Sequence, residues 1–511
     1  MMVEYAQHQK DAISFQQVVP YSIQACATGT GKTIMSIGSQ LVNLHTKKLD
    51  KCIFVCTKGS LGEVKEDFNK HFNFQPKELN SYDSIENFFE SGHNIALTRY
   101  EWLKHFDINR LVYHTQKYKL GMWWDEAQKL KNGSRDKKQQ TGTKTHKFGK
   151  TFRPYCSAFH LVTATPVMTQ LDDLWSLMHL VDPNVLKSFD EFADAFYERQ
   201  LVVHPKQVRR QMVCPTCGSP LVFYQGWDYC QNPACKSIKT PFGFLPFKRE
   251  VKMVWDLIEY KNLYDLSQIM QKHMFCFYPE QDIVYHEHTF DLDEYTEQIY
   301  NGIAKGIIAR EDAGEFVPFA TRLLDLQYLV DKSLLKRQKL YQVANAIKEL
   351  GFVLYVPYYE SLAQVEEVLK CVPDLEYRTY TGKDDDDDRS ENKMWFKDSS
   401  KNKCLIISSA GGASLNLQTT NQMIFYGLGN GFGSMSQAMG RVIRWFSTFK
   451  RFHIHFILGN HSVDRYKYNC FLMYDGIMRR LMNNKLIQTD KPIDFNMQIK
   501  SEMRKDMCWR T

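Results

Sequence analysis

The chain has 511 residues, of which 43% are hydrophobic and 24% are charged, and its formal net charge is +7 at pH 7. This length predicts roughly three domains, and the hydrophobic share is that of a globular protein with buried cores. No run of about 18 uncharged apolar residues occurs, and the amino terminus contains no apolar signal region. We therefore expect neither a membrane span nor an export signal, and the positive charge favours a polyanionic partner without requiring one.

The distribution of the 13 cysteines indicates the redox compartment. Four of them form one tight cluster, whereas the others are scattered, several inside apolar runs such as 51–56 and 403–408. A free thiol in such a run behaves as a small hydrophobic side chain. This pattern predicts a reducing, intracellular compartment. From the compact layout of the chain we also expect a cytoplasmic protein of bacterial or viral origin.

Short apolar runs alternate with helix-like stretches in two blocks, which predicts two parallel α/β lobes over residues 1–190 and 331–511. The predicted strands are Ser22–Ala25, Cys52–Cys56, Asn94–Leu97, Met122–Trp124, His160–Val162, Phe352–Val356, Cys404–Ser408, Met423–Tyr426 and His453–Leu458. Residues 191–330 form a predicted insertion with the cysteine cluster and the helix-like segments Val251–Lys272, Leu292–Ile308 and Phe316–Leu350. The aspartate run Asp384–Asp388 predicts an exposed loop.

A phosphate-binding loop is predicted at Cys26–Thr33, because this segment joins a short strand to a helix-like stretch. Its glycines let the backbone wrap closely, so that N–H groups and the helix N-terminus face the phosphates. Lys32 would reach the β- and γ-phosphates, and the Thr33 hydroxyl would bind Mg²⁺. A glycine-rich turn without a ligand is the alternative. The predicted nucleotide-binding residues of the loop are Thr28, Gly29, Thr30, Gly31, Lys32 and Thr33.

Two carboxylates follow the apolar run 121–124, at Asp125 and Glu126. A parallel strand that ends in paired carboxylates delivers them to the carboxyl edge of the sheet, beside the phosphate loop. Asp125 would hold Mg²⁺, and Glu126 would orient and deprotonate an attacking water. In isolation an Asp-Glu pair is common at the start of a helix. The pair indicates a nucleotide site only because a phosphate-binding loop precedes it in the sequence.

Two arginines lie three residues apart in the second block, at Arg441 and Arg444, shortly after Gln437. This spacing predicts that both lie on one face of a helix. A terminal phosphate whose charge grows in the transition state needs such donors from the opposite lobe. The alternative is a surface helix with two ordinary arginines, and the order of the three motifs along the chain disfavours it.

Together these motifs resemble those of the superfamily 2 helicases, and within them those of the Swi/Snf-like DNA translocases. The similarity covers residues 1–190 and 290–470. Outside the phosphate loop, the segments that carry it are His8-Gln9, Cys56–Ser60, Leu97–Glu101, Asp125–Asn132 with Gln128 where the family has histidine, Thr163–Pro166, Leu171–Pro183, Thr381-Gly382 with Arg389, Ser408–Leu417 and Gln437–Arg444.

The resemblance implies two RecA-like parallel-sheet lobes with the ATP site between them. It assigns adenine reading to Gln9 and hydrolysis to Lys32, Asp125, Glu126, Gln437, Arg441 and Arg444. It assigns coupling to nucleic acid, or contact with it, to Lys58, Thr163, Thr165, Thr381, Gly382, Gly411, Gly412 and Asn416. The implied cofactors are ATP and Mg²⁺.

The cysteine cluster resembles a zinc ribbon, in which each of two close pairs lies on a turn and a hairpin joins them. Twelve residues separate the pairs, from 218 to 229, and no extra histidine or carboxylate indicates an open coordination position. We therefore predict one structural Zn²⁺, bound by Cys214, Cys217, Cys230 and Cys235. Unrelated thiols, or disulfides in a secreted protein, are the alternative.

The favoured function is an ATP-dependent motor that acts as a monomer on double-stranded DNA. A strand-separating or branch-migrating DNA helicase is a close rival, and RNA remodelling is disfavoured by the Swi/Snf form of the first-lobe motifs. A zinc-ribbon nucleic-acid-binding scaffold without catalysis is the rival of another class. The retention of Lys32, Asp125, Glu126 and Arg441 disfavours the scaffold.

Overall fold

The computed structural model describes residues 4–103, 105–131, 143–167, 171–206, 221–224, 227–230, 240–241, 250–312, 319–408, 415, 417–429 and 431–482. The strands are β1 Tyr21–Cys26, β2 Lys51–Cys56, β3 Lys77–Leu79, β4 Ile95–Arg99, β5 Leu120–Trp124, β6 Ala158–Thr163, β7 Tyr197–Lys206, β8 Leu221–Tyr224, β9 Trp227–Cys230, β10 Thr240–Pro241, β11 Glu250–Tyr260, β12 Met274–Phe277, β13 Asp282–Phe290, β14 Phe352–Tyr355, β15 Glu376–Tyr380, β16 Lys403–Ile407, β17 Gln422–Phe425 and β18 Arg451–Gly459.

Helices cover both sheets. They are α1 Gln7–Val18, α2 Lys32–His45, α3 Leu61–Phe72, α4 Tyr82–Glu90, α5 Tyr100–Leu103, α6 Ile108–Thr115, α7 Lys144–Phe152, α8 Leu171–Val181, α9 Phe189–Phe196, α10 Leu263–His273, α11 Glu294–Asp312, α12 Phe319–Lys332, α13 Leu334–Ile347, α14 Leu362–Lys370, α15 Asp386–Asp398, α16 Phe432–Met439 and α17 Val463–Met482. Short 3₁₀ helices lie at Lys58–Ser60, Ala127–Leu130, Arg153–Tyr155, Lys348–Leu350 and Tyr359–Ser361.

The first lobe is built on a seven-stranded sheet in the order β12-β1-β6-β5-β2-β4-β3. All of its strands run parallel. The central strands β2, β5 and β6 are buried along their whole length, because helices cover both faces of the sheet. This is why their sequences read as continuous apolar runs, and why five first-lobe strands were predictable from sequence.

The second lobe is built on a six-stranded parallel sheet in the order β13-β18-β17-β14-β16-β15. The four strands predicted in this lobe are present as β14, β16, β17 and β18. The two parallel-sheet lobes expected from the sequence are therefore confirmed. No helix among the described residues is long and apolar enough to cross a membrane.

The predicted limits of the insertion differ from the strand pairing. Strand β12 at Met274–Phe277 pairs with β1 of the first sheet, and β13 at Asp282–Phe290 pairs with β18 of the second. Both fall inside the range 191–330 that was expected to be inserted. The chain therefore returns to the first lobe before it crosses to the second, and only residues 278–281 lie between the two sheets.

The segment Val251–Lys272, expected to be helical, is a strand over its first part. Strand β11 pairs antiparallel with β7 from Glu250↔Lys206 to Tyr260↔Tyr197, and α10 follows. The spacing of its apolar residues fits both a helix and a strand, so the sequence alone does not distinguish the two. Pairing with β7 makes the first part a strand. The aspartate run, expected to be an exposed loop, is one only at Asp384 and Asp385. Residues 386–388 begin α15, and the side chain of Asp385 caps that helix by accepting a hydrogen bond from the N–H of Asp388. Acidic side chains are stabilised in the first turn of a helix.

Candidate ATP site

The loop between β1 and α2 has the backbone that phosphate binding requires. Gly29 and Gly31 adopt φ values of 74° and 84°, in the left-handed region that side chains disfavour. The Thr30 hydroxyl donates to the carbonyl of Ala27 at 2.8 Å, and Lys32 Nζ donates to the same carbonyl at 3.2 Å. The loop is therefore already curled around the position where phosphates bind, and α2 begins at Lys32 with its free N–H groups facing that position.

Helix α1 braces this loop from the side. The ring of His8 lies 3.0 Å from the carbonyl oxygen of Thr30, and Gln9 Nε2 donates to the same oxygen at 3.2 Å. Gln9 Oε1 accepts a hydrogen bond from the N–H of Ala6 at 3.0 Å. Each of these bonds uses one donor or acceptor of the Gln9 amide, so one N–H and one lone pair stay available for a ligand.

The carboxylates of Asp125 and Glu126 leave β5 beside the loop. Burial, together with the negative charge of Glu126, raises the pKa of the Asp125 carboxyl above its usual range, although Lys32 acts in the opposite direction. Tyr100 donates a hydrogen bond to the carbonyl of Asp125 at 2.7 Å and so fixes its backbone. Glu126 has a φ of 53°, a left-handed conformation that costs roughly 1–2 kcal/mol for a residue with a side chain.

The second lobe contributes Arg441 and Arg444. They were expected on one helix face, but α16 ends at Met439; Arg441 lies in the turn that follows, and Arg444 lies in irregular backbone after that turn. Burial, together with the nearby charge of Arg441, lowers the pKa of the Arg444 guanidinium to about 10. Burial also lowers the pKa of Arg441, against the attraction of Glu126 and Glu63. Arg444 Nε is buried without a hydrogen-bond partner, whereas its Nη2 donates to the carbonyl of Leu415 at 2.5 Å.

These groups line one cleft of about 810 Å³ between the lobes. The predicted residues that line it are Gln9, Thr28, Gly29, Gly31, Lys32, Thr33, Asp125, Glu126, Arg441 and Arg444. Thr30, by contrast, is buried beneath the loop. The sequence analysis missed a second set of lining residues, which includes Glu63, Asp67, Lys393, Lys397 and Phe446. Glu63 and Lys393 form an ion pair across the cleft, and nothing in the sequence links residues 330 positions apart.

A line of hydrogen bonds, all between side chains except at the backbone N–H of Thr165, connects Glu126 to the second lobe. Gln128 Nε2 donates to Glu126 at 2.5 Å, and Thr163 Oγ1 donates to Gln128 Oε1 at 2.6 Å. The N–H of Thr165 donates to Thr163 Oγ1 at 3.0 Å. Gln437 Nε2, from the other lobe, donates to Thr165 Oγ1 at 3.2 Å. Gln437 was predicted to be catalytic and the two threonines to be coupling residues, and the structure places all three in this relay.

The donor set of the cleft fits a magnesium nucleoside triphosphate. A Cβ on Gly29 would lie 2.3 Å from Arg444 Cδ, so the glycine is what lets the arginine approach the phosphate loop. Arg444 Nε is buried without a hydrogen-bond partner, and burial lowers the pKa of the Lys32 ammonium although Glu126 and Asp125 attract it, so an anionic ligand would stabilise both cations. Thr33 and Asp125 supply the oxygen ligands that Mg²⁺ prefers. The residues present thus match the charge of the phosphates and of the metal.

The predicted nucleic-acid contacts are only partly within the described residues. Lys58 is exposed in the 3₁₀ helix that follows β2, and Gly382 is exposed after β15. Thr381 is buried, and its N–H donates to Asp384. Gly411, Gly412 and Asn416 lie outside the described residues.

The predicted zinc ligands Cys214, Cys217 and Cys235 lie outside the described residues, as does the side chain of Cys230. The hairpin expected between the two pairs is present, because β8 and β9 pair antiparallel with Leu221 opposite Cys230. Strand β10 adds a third strand to this small sheet. Among the residues that the structure does describe, no cluster of three or more His, Cys, Asp or Glu is arranged to hold a metal.

Two family models match the chain, and they fall on the two lobes. The SNF2-related domain matches residues 18–215, and the helicase conserved C-terminal domain matches residues 335–446. The uncharacterized ATP-dependent helicase YqhH of Bacillus subtilis is 22% identical over 67% of this chain and 56% of its own length. The chromatin-remodeling ATPase INO80 of Cryptococcus neoformans is 28% identical over 21% of this chain and 5% of its own length.

Solved structures with a similar chain course include the Sulfolobus solfataricus SWI2/SNF2 ATPase core in complex with dsDNA. It is 15% identical, the match covers 94% of each chain, and the TM-score is 0.38. The core domain from the same organism without DNA gives a TM-score of 0.35 at 14% identity over 99% of this chain and 95% of the other.

Two parallel-sheet lobes, each matched by a helicase motor domain and with a nucleotide cleft between them, define a superfamily 2 ATP-dependent helicase motor. Within that superfamily the first lobe is similar to the SNF2-related domain, so the chain is consistent with the Snf2-like branch. It spans about half the length of the Bacillus subtilis relative.

Proposed function

We propose that the chain is an ATP-driven translocase that moves along double-stranded DNA without having to separate its strands. The observation that carries this proposal is the relay from Glu126 through Gln128, Thr163 and Thr165 to Gln437 of the other lobe. A relay of this kind makes the arrangement of the lobes depend on what the hydrolytic carboxylate contacts. A change at the γ-phosphate is thereby converted into a relative movement of two bodies.

Hydrolysis needs groups from both lobes. Lys32 would neutralise the β- and γ-phosphates, and Glu126 would orient the attacking water and accept its proton. Arg441 and Arg444 would stabilise the charge that develops on the transferred phosphoryl group. Thr33 and Asp125 would hold Mg²⁺, which would supply positive charge beside the phosphates. Because the site is complete only when the lobes are closed, ATP favours closure and product release favours opening.

Movement along DNA would follow from alternating grip. Lys58 is exposed just after β2 of the first lobe, and Gly382 is exposed in the turn that follows β15 of the second lobe. Loops of this kind hold the phosphate backbone and therefore bind without sequence preference. The choice of duplex DNA rests on the match to the SNF2-related domain and on the Swi/Snf form of the first-lobe motifs.

The first test is steady-state ATPase activity with no polymer, double-stranded DNA, single-stranded DNA or RNA, beside a Glu126→Gln control. Duplex DNA should stimulate hydrolysis most, and the control should show no stimulation. Displacement of a third strand from a DNA triplex then reports translocation without strand separation. Stimulation by single strands alone would instead indicate the strand-separating helicase. Equal, control-like rates with every polymer would overturn the motor and leave the zinc-ribbon scaffold.

We also propose that the insertion holds one structural Zn²⁺, bound by Cys214, Cys217, Cys230 and Cys235. Support comes from the spacing of the two cysteine pairs and from the β8–β9 hairpin between them. We expect about one zinc per chain by elemental analysis, and loss of that zinc in a Cys214→Ser, Cys217→Ser variant. A Cys371→Ser variant, which changes an exposed free thiol of the second lobe, is the matched control. Equal zinc content in all three proteins would overturn the assignment.

A further inference from the structure

The two sheets are joined by a hinge of four residues, 278–281, and both ends of this hinge are anchored. At its first end, the carbonyl of Phe277 accepts a hydrogen bond from the N–H of Ala27 in the phosphate loop at 2.9 Å. At its second end, the carboxylate of Asp282 accepts a hydrogen bond from Arg451 Nε on the neighbouring strand β18 at 2.7 Å. Relative movement of the lobes must therefore be absorbed within the hinge, because a few loop residues between rigid bodies take up such changes.

The first hinge residue, Tyr278, is tied to the first lobe by its side chain. Its hydroxyl donates a hydrogen bond to the carbonyl of Ala164 at 2.8 Å. Pro279 comes next, and a residue before proline is confined mainly to extended backbone, so Tyr278 continues the direction of β12. The greater backbone freedom is left to Glu280 and Gln281. Because β1 lies between β12 and β6, the tyrosine side chain reaches past the end of β1, where the phosphate loop begins.

The carbonyl that Tyr278 holds lies between the two threonines of the relay. Strand β6 ends at Thr163, which is paired with Ala25 of β1, so the sheet pairing stops just before Ala164. Thr165 follows and accepts the hydrogen bond from Gln437 of the second lobe. The tyrosine hydroxyl therefore fixes the segment through which a movement of Gln437 would reach the first lobe.

A second cavity, of about 370 Å³, gives the hinge room to move. All four hinge residues line it, together with Ala164 and Thr165 on the first lobe and apolar side chains such as Met439 and Ile443 on the second. Apolar contacts are not directional, so the second-lobe wall can shift without losing specific bonds. A hydrogen bond is directional, so the tyrosine hydroxyl holds the first-lobe wall in one place.

From this geometry we propose that Tyr278 is a positioning residue for ATP hydrolysis, and that it acts through the relay and not on the nucleotide. It holds the relay threonines in place relative to the hinge. Movement of the second lobe then changes the hydrogen bonds that lead to Glu126, instead of moving the whole segment with it. Tyr278 does not line the ATP cleft, so it acts without touching the phosphates. The inference rests on the proposed function, since both use the relay.

The test compares Tyr278→Phe with Tyr21→Phe in the full chain. Each change removes one tyrosine hydroxyl that donates to a first-lobe carbonyl, and Tyr21, at the opposite end of β1, donates to that of Cys156 at 2.7 Å. Tyr278→Phe should lower kcat of ATP hydrolysis by about threefold to tenfold, with and without duplex DNA, and should leave KM and the Kd for ADP unchanged. Tyr21→Phe should hydrolyse ATP like the unchanged chain. Chemical denaturation should show a similar loss of stability in both variants.

A double-mutant cycle with Thr163→Val shows whether Tyr278 acts through the relay. Once the relay is broken at Thr163, the tyrosine has nothing left to position. The double variant Tyr278→Phe, Thr163→Val should therefore have the kcat of Thr163→Val alone, within about twofold. Losses that multiply in the double variant would overturn the inference. So would a kcat of Tyr278→Phe equal to that of the unchanged chain, or an equal fall in Tyr21→Phe.

Failure of the proposed function gives a different result from failure of the inference. If duplex DNA stimulates none of these proteins and Tyr278→Phe still lowers the polymer-free rate, the translocase is lost and the inference stands. If duplex DNA stimulates the unchanged chain and Tyr278→Phe equally, with equal kcat, the inference is lost and the translocase stands. A chain that hydrolyses no ATP would defeat both.

Discussion

At the scale of single residues, the hydroxyl of Thr163 occupies the middle of the relay. It donates to Gln128 Oε1 at 2.6 Å and accepts from the N–H of Thr165 at 3.0 Å, and it is fully buried. A buried acceptor that loses its donor costs about 1–3 kcal/mol, so this one hydroxyl can set the position of Gln128 and, through it, of Glu126.

Replacement of Thr163 by valine removes the hydroxyl and keeps the shape of the side chain. We expect kcat of DNA-stimulated hydrolysis to fall by about tenfold, with the affinity for ADP unchanged, because the loss acts on the carboxylate and not on the phosphate loop. Steady-state kinetics and calorimetry measure the two quantities. Thr163→Ser keeps the hydroxyl and is the control. Equal rates in the valine and serine variants would show that the relay has no role in hydrolysis.

Substitution of Arg441 should affect catalysis and leave nucleotide binding nearly unchanged. Arg441→Ala should lower kcat by about 10³, because the group stabilises charge that appears only in the transition state, and should change ADP affinity little. Lys32→Ala is the comparison, since it should weaken nucleotide binding itself. If Arg441→Ala instead raised the Kd for ADP and left kcat intact, the residue would be a ground-state ligand and no arginine finger.

Some residues of the ATP site could be predicted from the sequence, and others could not. The glycines, Lys32 and the paired carboxylates were predictable, because a local pattern of strand, loop and helix places them. Glu63, Lys393 and Phe446 were not, because their place in the cleft depends on how two lobes pack. No spacing rule connects Glu63 on α3 with Lys393 on α15.

At the scale of elements, the edge of the second sheet carries a ladder of four histidines. His286 and His288 on β13 face His453 and His455 on β18, with ring nitrogens 2.9 and 3.0 Å apart. Burial lowers the pKa of His286, His288 and His455, and neighbouring histidines lower each of them further. Gln422 Oε1 accepts a hydrogen bond from His455 Nε2, and Lys339 on α13 adds a positive charge near His288.

This ladder predicts a pH-dependent stability of the second lobe. A histidine whose folded pKa is depressed binds fewer protons when folded than when unfolded, so stability is complete above about pH 6.5 and falls as the pH decreases below it. We expect the melting temperature to drop between pH 7 and pH 5, and to drop less in a His286→Gln, His288→Gln variant. Thermal scans by circular dichroism measure both. A His93→Gln variant, at an exposed first-lobe position, should behave like the unchanged chain. Parallel pH profiles in all three would refute the ladder as the cause.

The elements that the sequence analysis missed share one physical property. β13 and β15 lie at the edges of their sheet, and both carry polar residues that interrupt the apolar run. β3 is an edge strand of three residues, too short for a pattern. Central strands can be predicted from sequence because helices bury both of their faces, which gives a continuous apolar run. An edge strand lacks this run and is recognised only by its pairing with a neighbouring strand.

At the scale of the whole molecule, the two lobes approach each other closely where Gly440 of the second lobe lies beside Thr28 of the first. A Cβ added to Gly440 would lie 2.1 Å from Thr28 Oγ1, across the cleft. Gly440 has φ −63° and ψ −5°, which any residue adopts, so its small size and not its backbone is what the position needs. Closure of the cleft therefore depends on a contact that tolerates no additional methyl group.

Gly440→Ala tests this contact. We expect a fall of about tenfold in kcat, because the arginines can no longer reach the phosphate, with an unfolding free energy within about 1 kcal/mol of the unchanged chain. Gly302→Ala in α11 is the matched control, since a Cβ there meets nothing within 4 Å. ATPase rates and chemical denaturation measure the two effects. Unaltered hydrolysis in Gly440→Ala would show that the lobes need not come this close.

The insertion leaves the first lobe and returns to it at a single paired position. Tyr197 at the start of β7 lies opposite Tyr260 at the end of β11, with ring centroids 5.0 Å apart. The first lobe therefore does not depend on what the insertion contains, since a short turn could join the two tyrosines as well as a long segment. During evolution the insertion could therefore be replaced, lengthened or shortened at this position without disturbing the fold of the first lobe. Length differences among relatives should accordingly concentrate between these two tyrosines.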